Sequence, residues 1–187
     1  MLYEPGLQFG LAGGWQGTVS ARFFSGSADK TGSGNVRLNV LRQFLRDSAN
    51  APALALSGQA ELPTGQNSEG VDTRLKFILS RTLGGAPSRP RLHLNVGWKH
   101  NDKKQPGELG DGYLAILGYS QRLGQDSVLV ADLVSEQELT EGQTQNTLEL
   151  GFIRSVSEQT QLSLGVSAGL SKDSPDYRLV GAFQVSF

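Results

Sequence analysis

The residues able to do chemistry are few and widely spaced. Histidine occurs twice, at His93 and His100, and cysteine is absent. Both histidines fall in Arg91 to His100, where Leu92, Leu94, Val96 and Trp98 alternate with Arg91, His93, Asn95, Gly97 and Lys99. Successive side chains of a strand point to opposite faces, so an odd separation sends the two imidazoles to opposite sides. They cannot share a metal ion, and without thiolates the common zinc ligand sets are out of reach. No metal and no cofactor is expected. An enzyme would have to use His100 with Asp102 or Asp111 at a loop end, or a serine–histidine arrangement at a lipid interface. No spacing supports either, and the chain is expected not to be an enzyme. Gly10, Gly13, Gly14 and Gly17 do not make a phosphate loop, because no strand-to-helix transition follows them.

Charge is the other chemical resource. Lys plus Arg number 17 against 18 Asp plus Glu, for a net charge of -1. So balanced a chain carries no polyanion-binding signature, and nucleic acid is not an expected partner. The charges instead fall between apolar residues. Arg37, Glu61, Arg74, Lys76 and Arg91 stand on the polar parity of their segments, as do His93, Asn95, Lys99, Glu149 and Arg178. Asp72, Asp132 and Glu136 join them. Lining an interior, such residues would set which solutes pass. Packed against one another, they would merely fill it.

The elements that position these residues are strands. In Tyr177 to Phe187, Tyr177, Leu179, Gly181, Phe183, Val185 and Phe187 alternate with Arg178, Val180, Ala182, Gln184 and Ser186. The same period of two runs through Gln161 to Leu170, Thr147 to Arg154 and Ser127 to Gln137. Tyr113 to Arg122 is ambiguous, since Leu114 and Ile116 compete with Tyr113, Ala115, Leu117 and Tyr119. Further back, Leu75, Phe77 and Leu79 oppose Arg74, Lys76 and Ser80. Leu54, Leu56, Ala60 and Leu62 oppose Ser57, Gln59 and Glu61, and Val36, Leu38 and Val40 oppose Arg37 and Asn39. Leu7, Phe9 and Leu11 before Gly13-Gly14, with Val19, Ala21 and Phe23 after, predict a hairpin. About eleven candidates result, near the ~9–11 residues of a tilted membrane strand in length.

Connectors alternate in kind. Gly13-Gly14, Arg46 to Pro52, Gly84 to Pro90, Leu123 to Asp126 and Ser155 to Thr160 are compact. Ser25 to Gly34, Thr64 to Gly70, Asn101 to Asp111 and Glu138 to Asn146 are polar and rich in turn formers. Short turns at one rim and longer polar loops at the other is an outer-membrane arrangement.

The 187 residues are expected to form one domain. No run reaches the ~18 apolar residues of a membrane helix, but strands that give only alternate residues to lipid would not show one. A soluble sandwich or lipocalin-like barrel also alternates. It would fill its interior with bulky apolar groups, whereas here Arg, Lys and Glu stand in mid-strand opposite plain Leu, Val and Ala. Trp98, Tyr119, Phe183 and Phe187 lie toward strand ends, as interfacial aromatics do. The expected fold is therefore all-β: an antiparallel transmembrane β-barrel of about 10–12 strands. Met1 to Gly6 lack a basic and apolar leader. Even strand numbers with both termini on one side then lead to the expectation of one further N-terminal strand and a signal peptide in a native version.

The terminus resembles the signal read by the barrel-assembly machinery: Phe183, Val185 and Phe187 alternate to a C-terminal Phe, with Leu179 in step and Gly181 the weak position. The chain also resembles a family, the outer-membrane proteins of the phenol-degradation meta pathway. The matching stretches are Glu61-Leu62-Pro63-Thr64-Gly65, Leu92-His93-Leu94-Asn95-Val96-Gly97-Trp98 and Asp176-Tyr177-Arg178-Leu179-Val180-Gly181-Ala182-Phe183. The similarity runs from about Gly34 to Phe187. It implies a porin-like barrel in the outer membrane of a Gram-negative cell, with the lipid bilayer as surroundings and small, often hydrophobic or aromatic, molecules as solutes. The alternative is a structural or loop-binding barrel with a filled lumen.

Overall fold

Alternation becomes pairing along nearly the whole chain. A computed structural model describes residues 1–26, 31–66, 68–84 and 89–187. It holds a single antiparallel sheet of twelve strands. These are β1 (Leu2–Tyr3), β2 (Gly6–Leu11), β3 (Trp15–Phe24), β4 (Gly32–Leu45), β5 (Ala53–Leu62) and β6 (Asp72–Thr82). They continue as β7 (Arg91–His100), β8 (Asp111–Arg122), β9 (Ser127–Gln137), β10 (Thr144–Ser155), β11 (Thr160–Gly169) and β12 (Tyr177–Val185). Among the described residues the only helical element is one 3-10 turn, Ala12–Gly14, with Gly13 and Gly14 at positive φ closing the first hairpin. Parts of three expected connectors, residues 27–30, 67 and 85–88, lie outside the described residues.

From β3 onward every strand pairs with its neighbours in sequence. β1 and β2 lie end to end along β3, and the strand the sequence predicts from Leu7 is β2 alone. Pro5 splits them: it has no N–H for the ladder, although its carbonyl still accepts from Ala21 N at 3.0 Å. The sheet is thus eleven strands wide. β1/β2 and β12 are its edges; β12 pairs only with β11, and the sheet is not closed.

Register sorts the side chains cleanly. Arg37 faces Glu61, Glu61 faces Asp72, Arg74 faces Lys99, and Glu149 faces Asp132, so all share one side of the sheet. That side is concave, because ion pairs cross it over intervening strands: Arg74 of β6 reaches Glu136 of β9 at 3.4 Å. The ambiguous β8 is settled by pairing. Leu114 stands opposite Glu136 and Ile116 opposite Asn95, so both face inward and Tyr113, Leu117 and Tyr119 face out.

Hydrophobicity is inverted relative to a domain with an apolar core. Among the described residues Leu114 is the sole buried apolar side chain, while Ser57, Lys99, Asn101, Thr147 and Ser167 are buried. The convex face carries the large apolar groups, with Leu164 68%, Leu179 76% and Phe183 67% exposed. Among the described residues no second layer covers them, which a sandwich would require. This all-β, antiparallel, curled sheet is consistent with a β-barrel.

Candidate functional site

The concave face gathers its charges toward the end bearing the longer connectors. Glu61 near the end of β5 accepts from Arg37 Nε at 2.9 Å, Asn35 Nδ2 at 3.2 Å and Arg22 Nη1 at 3.4 Å. Glu4 closes the cluster, with Arg37 Nη1 at 3.2 Å and Arg22 Nε at 3.4 Å. A second cluster centres on Glu136, which takes Lys99 Nζ at 3.0 Å and Arg74 Nη2 at 3.4 Å. Lys99 reaches β9 by lying across Gly112, its direct partner on β8. A Cβ there would sit 2.9 Å from the lysine Cε. A cavity of about 240 Å³ opens between the two clusters.

Deeper along the face, His93 bridges strands. Its Nδ1 lies 2.9 Å from Ser80 Oγ of β6 and its Nε2 lies 2.8 Å from Ser120 Oγ of β8. Gly118, directly opposite His93, leaves room for the Asp132 carboxylate to lean over the backbone. Two residues to either side of His93, Arg91 Nε and Asn95 Oδ1 are buried with no hydrogen-bond partner among the described residues. They are a donor and an acceptor left unpaired on one strand face. Asn95 is flanked by Ile78 and Ile116, so its carbonyl sits in apolar surroundings.

The expected interior residues Arg37, Glu61, Arg74, Lys76, Arg91, His93, Asn95, Lys99, Glu149 and Arg178 all fall on this face. They do not form one cluster. Arg37 and Glu61 meet, as do Arg74 and Lys99 through Glu136. Glu149 and Arg178 stand apart, on either side of Ser167, and Arg178 is exposed at the β12 edge. Phe183 and Val185 face outward on that strand, and Phe187 lies just past its end. His100 faces away from His93, stacks on Trp98 at 5.6 Å and holds Asp111 at 3.0 Å.

Two participants escaped sequence reasoning. Arg22 has the polar parity of β3 and was legible there. Glu4 precedes Pro5, where the alternation breaks. At the other end of the sheet, Asp47 in the β4–β5 connector accepts from Thr82 N at 3.0 Å, with Arg91 and Arg81 at 3.8 and 3.9 Å. Hydrogen bonding from Thr82, chiefly its hydroxyl, holds the Asp47 carboxyl below the ordinary value of 3.8, and the two arginines add to this. A lowered folded-state value contributes stability that is present above that ordinary value and lost as pH falls through the folded one. Acid titration of unfolding should therefore show a stability loss below pH 3.8 that Asp47→Asn lacks. Identical acid profiles for the two proteins would remove the clamp.

No protein-family model matches the chain, and no curated protein matches it.

Proposed function

We propose that the chain is a transmembrane β-barrel of a Gram-negative outer membrane through which small molecules pass. The inverted distribution of polarity carries this reading. The one face that is apolar is the convex, uncovered one, and its band extends over all the strands. A typical soluble monomer limits such patches to roughly 300–600 Å². Strands of about ten residues at ~3.4 Å each, tilted near 45°, give a band ~24 Å tall, near the ~25 Å of outer-membrane barrels. The bilayer is then the convex partner, and the terminal Phe183, Val185 and Phe187 pattern is what the assembly machinery would read.

In a sheet eleven strands wide the two edges run the same way, so an all-antiparallel barrel takes one further strand between them. Lipid tolerates no unpaired edge, which is why the closed form is the membrane form.

The solute path runs along the concave face, past the Glu61 and Glu136 clusters and then past Asn95 and Arg91. The resemblance to the phenol-degradation meta-pathway family suggests small, often hydrophobic solutes. The apolar flanks of Asn95, Ile78 and Ile116, suit them. The cross-strand ion pairs favour a second reading, a barrel whose interior is filled and whose work lies in its loops. Two measurements on the protein refolded in detergent decide. Folded β-structure should run differently on gels before and after boiling, and planar bilayers should show discrete conductance steps. A chain that folds as a monomer in plain buffer would end the membrane reading; a heat-modifiable barrel without current would leave only the filled one.

A further inference from the structure

Resting on the membrane reading, we infer that the end of the sheet bearing the compact connectors is a docking belt for anionic phospholipid headgroups, with Arg42 at its centre. Register places three full positive charges on the convex face: Arg42, Arg81 and Arg154. All three stand near the C-terminal ends of their strands, β4, β6 and β10, just before compact connectors. Among the described residues no acidic strand residue shares that end of the convex face, and the one connector carboxylate that reaches it, Asp47, lies 3.9 Å from Arg81 rather than at Arg42 or Arg154. Among the described strand residues the convex face's one carboxylate, Asp111, is at the opposite end and is paired with His100.

The three arginines are engaged differently. Arg81 is committed to the β4–β5 connector, donating to the carbonyls of Ser48 and Ala49 at 2.7 Å each. Arg154 is exposed, and no side-chain partner holds it among the described residues. The Arg42 guanidinium packs on two rings, 5.0 Å from Trp15 and 5.1 Å from Phe44. Ring contacts occupy the flat faces of a guanidinium and leave its in-plane N–H groups free. Those donors match two oxygens of a phosphate. Trp15 at the same site belongs at the boundary between acyl chains and headgroups. Among anions, a phospholipid phosphate alone would meet the guanidinium fork and the apolar neighbours Leu56 and Trp15 together.

Charge also decides between leaflet compositions. Each basic side chain at an anionic surface strengthens attraction roughly fivefold. The test compares folding yield into vesicles of phosphatidylcholine alone with yield into the same vesicles containing a minority of phosphatidylglycerol. Wild type should gain from phosphatidylglycerol, and Arg42→Gln with Arg154→Gln should lose roughly fivefold of that gain per arginine while folding normally in phosphatidylcholine. Lys103→Gln with Lys104→Gln, at the other end, removes equal charge and should leave the gain intact. A variant that keeps the wild-type gain, or a lysine control that loses as much, overturns the belt. Failure of wild type to fold into either vesicle is a different result: it removes the membrane reading, and the belt with it.

Discussion

Leu94→Arg should cost about 2–4 kcal/mol of folding stability in a bilayer, because it puts a guanidinium near mid-strand on the convex face of β7. Its direct partners there are Leu79 and Leu117, which offer no hydrogen bond. Lipid cannot supply one either, and mid-strand is too far from either interface for easy snorkelling. The same substitution on a water-facing sheet would cost within about 0.5 kcal/mol, since Leu94 is already 41% exposed. The two surroundings therefore differ by several-fold in outcome. Asn95→Arg is the internal control. It is the next residue along the same strand and points to the polar side, and the carbonyl it removes has no partner to leave behind. Its cost should be less than half that of Leu94→Arg in a denaturant titration of vesicle-folded protein. Leu164→Arg, opposite Phe152 and Gly181, should behave like Leu94→Arg. Equal tolerance on the two faces would contradict the assignment of inside and outside.

The faces were legible in the sequence because the period of two is enforced by the pleat and needs no tertiary information. Leu92, Leu94, Val96 and Trp98 against Arg91, His93, Asn95 and Lys99 could be read directly, and so could the last three strands. Legibility failed where that period stops being local. Leu114 and Ile116 make one side of β8 as apolar as the other, and only pairing with Glu136 and Asn95 decides between them. Pro5 separates the expected strand from the short β1 before it, where no alternation was read, which hid Glu4 from the pattern. The Asp47 clamp lies in a connector, where no periodicity operates, and its partners Thr82 and Arg91 come from other hairpin arms. Contacts that skip strands were the least visible. Alternation says that Arg74 and Glu136 share a face, but curvature decides that they touch.

That curvature brings Glu136 onto Lys99 and Arg74 across the concave face. Glu136→Leu would leave Lys99 and Arg74 without their shared anion, and Lys99 is buried at 8% exposure. Breaking a buried pair by deleting one member costs ~3–5 kcal/mol, because the remaining charge stays desolvated. Arg74 is a third exposed on its side chain and can turn toward water, so a loss of about 3 kcal/mol, at the lower end, is expected. Removing the stranded cation as well should restore most of it: Lys99→Met with Glu136→Leu is expected within about 1–1.5 kcal/mol of wild type, since apolar groups of similar volume replace the pair. Gly112 should tolerate this, because the methionine lies where the lysine stem lay. The permeation readout moves independently of stability. Loss of Glu136 raises the net positive charge of the cluster, so reversal potentials in a salt gradient should shift toward anions, and the double substitution should shift them back. A single variant as stable as wild type would mean that Lys99 is solvated, with the curled sheet splayed open at β7 to β9. A stability loss without any change in reversal potential would place the cluster off the solute path.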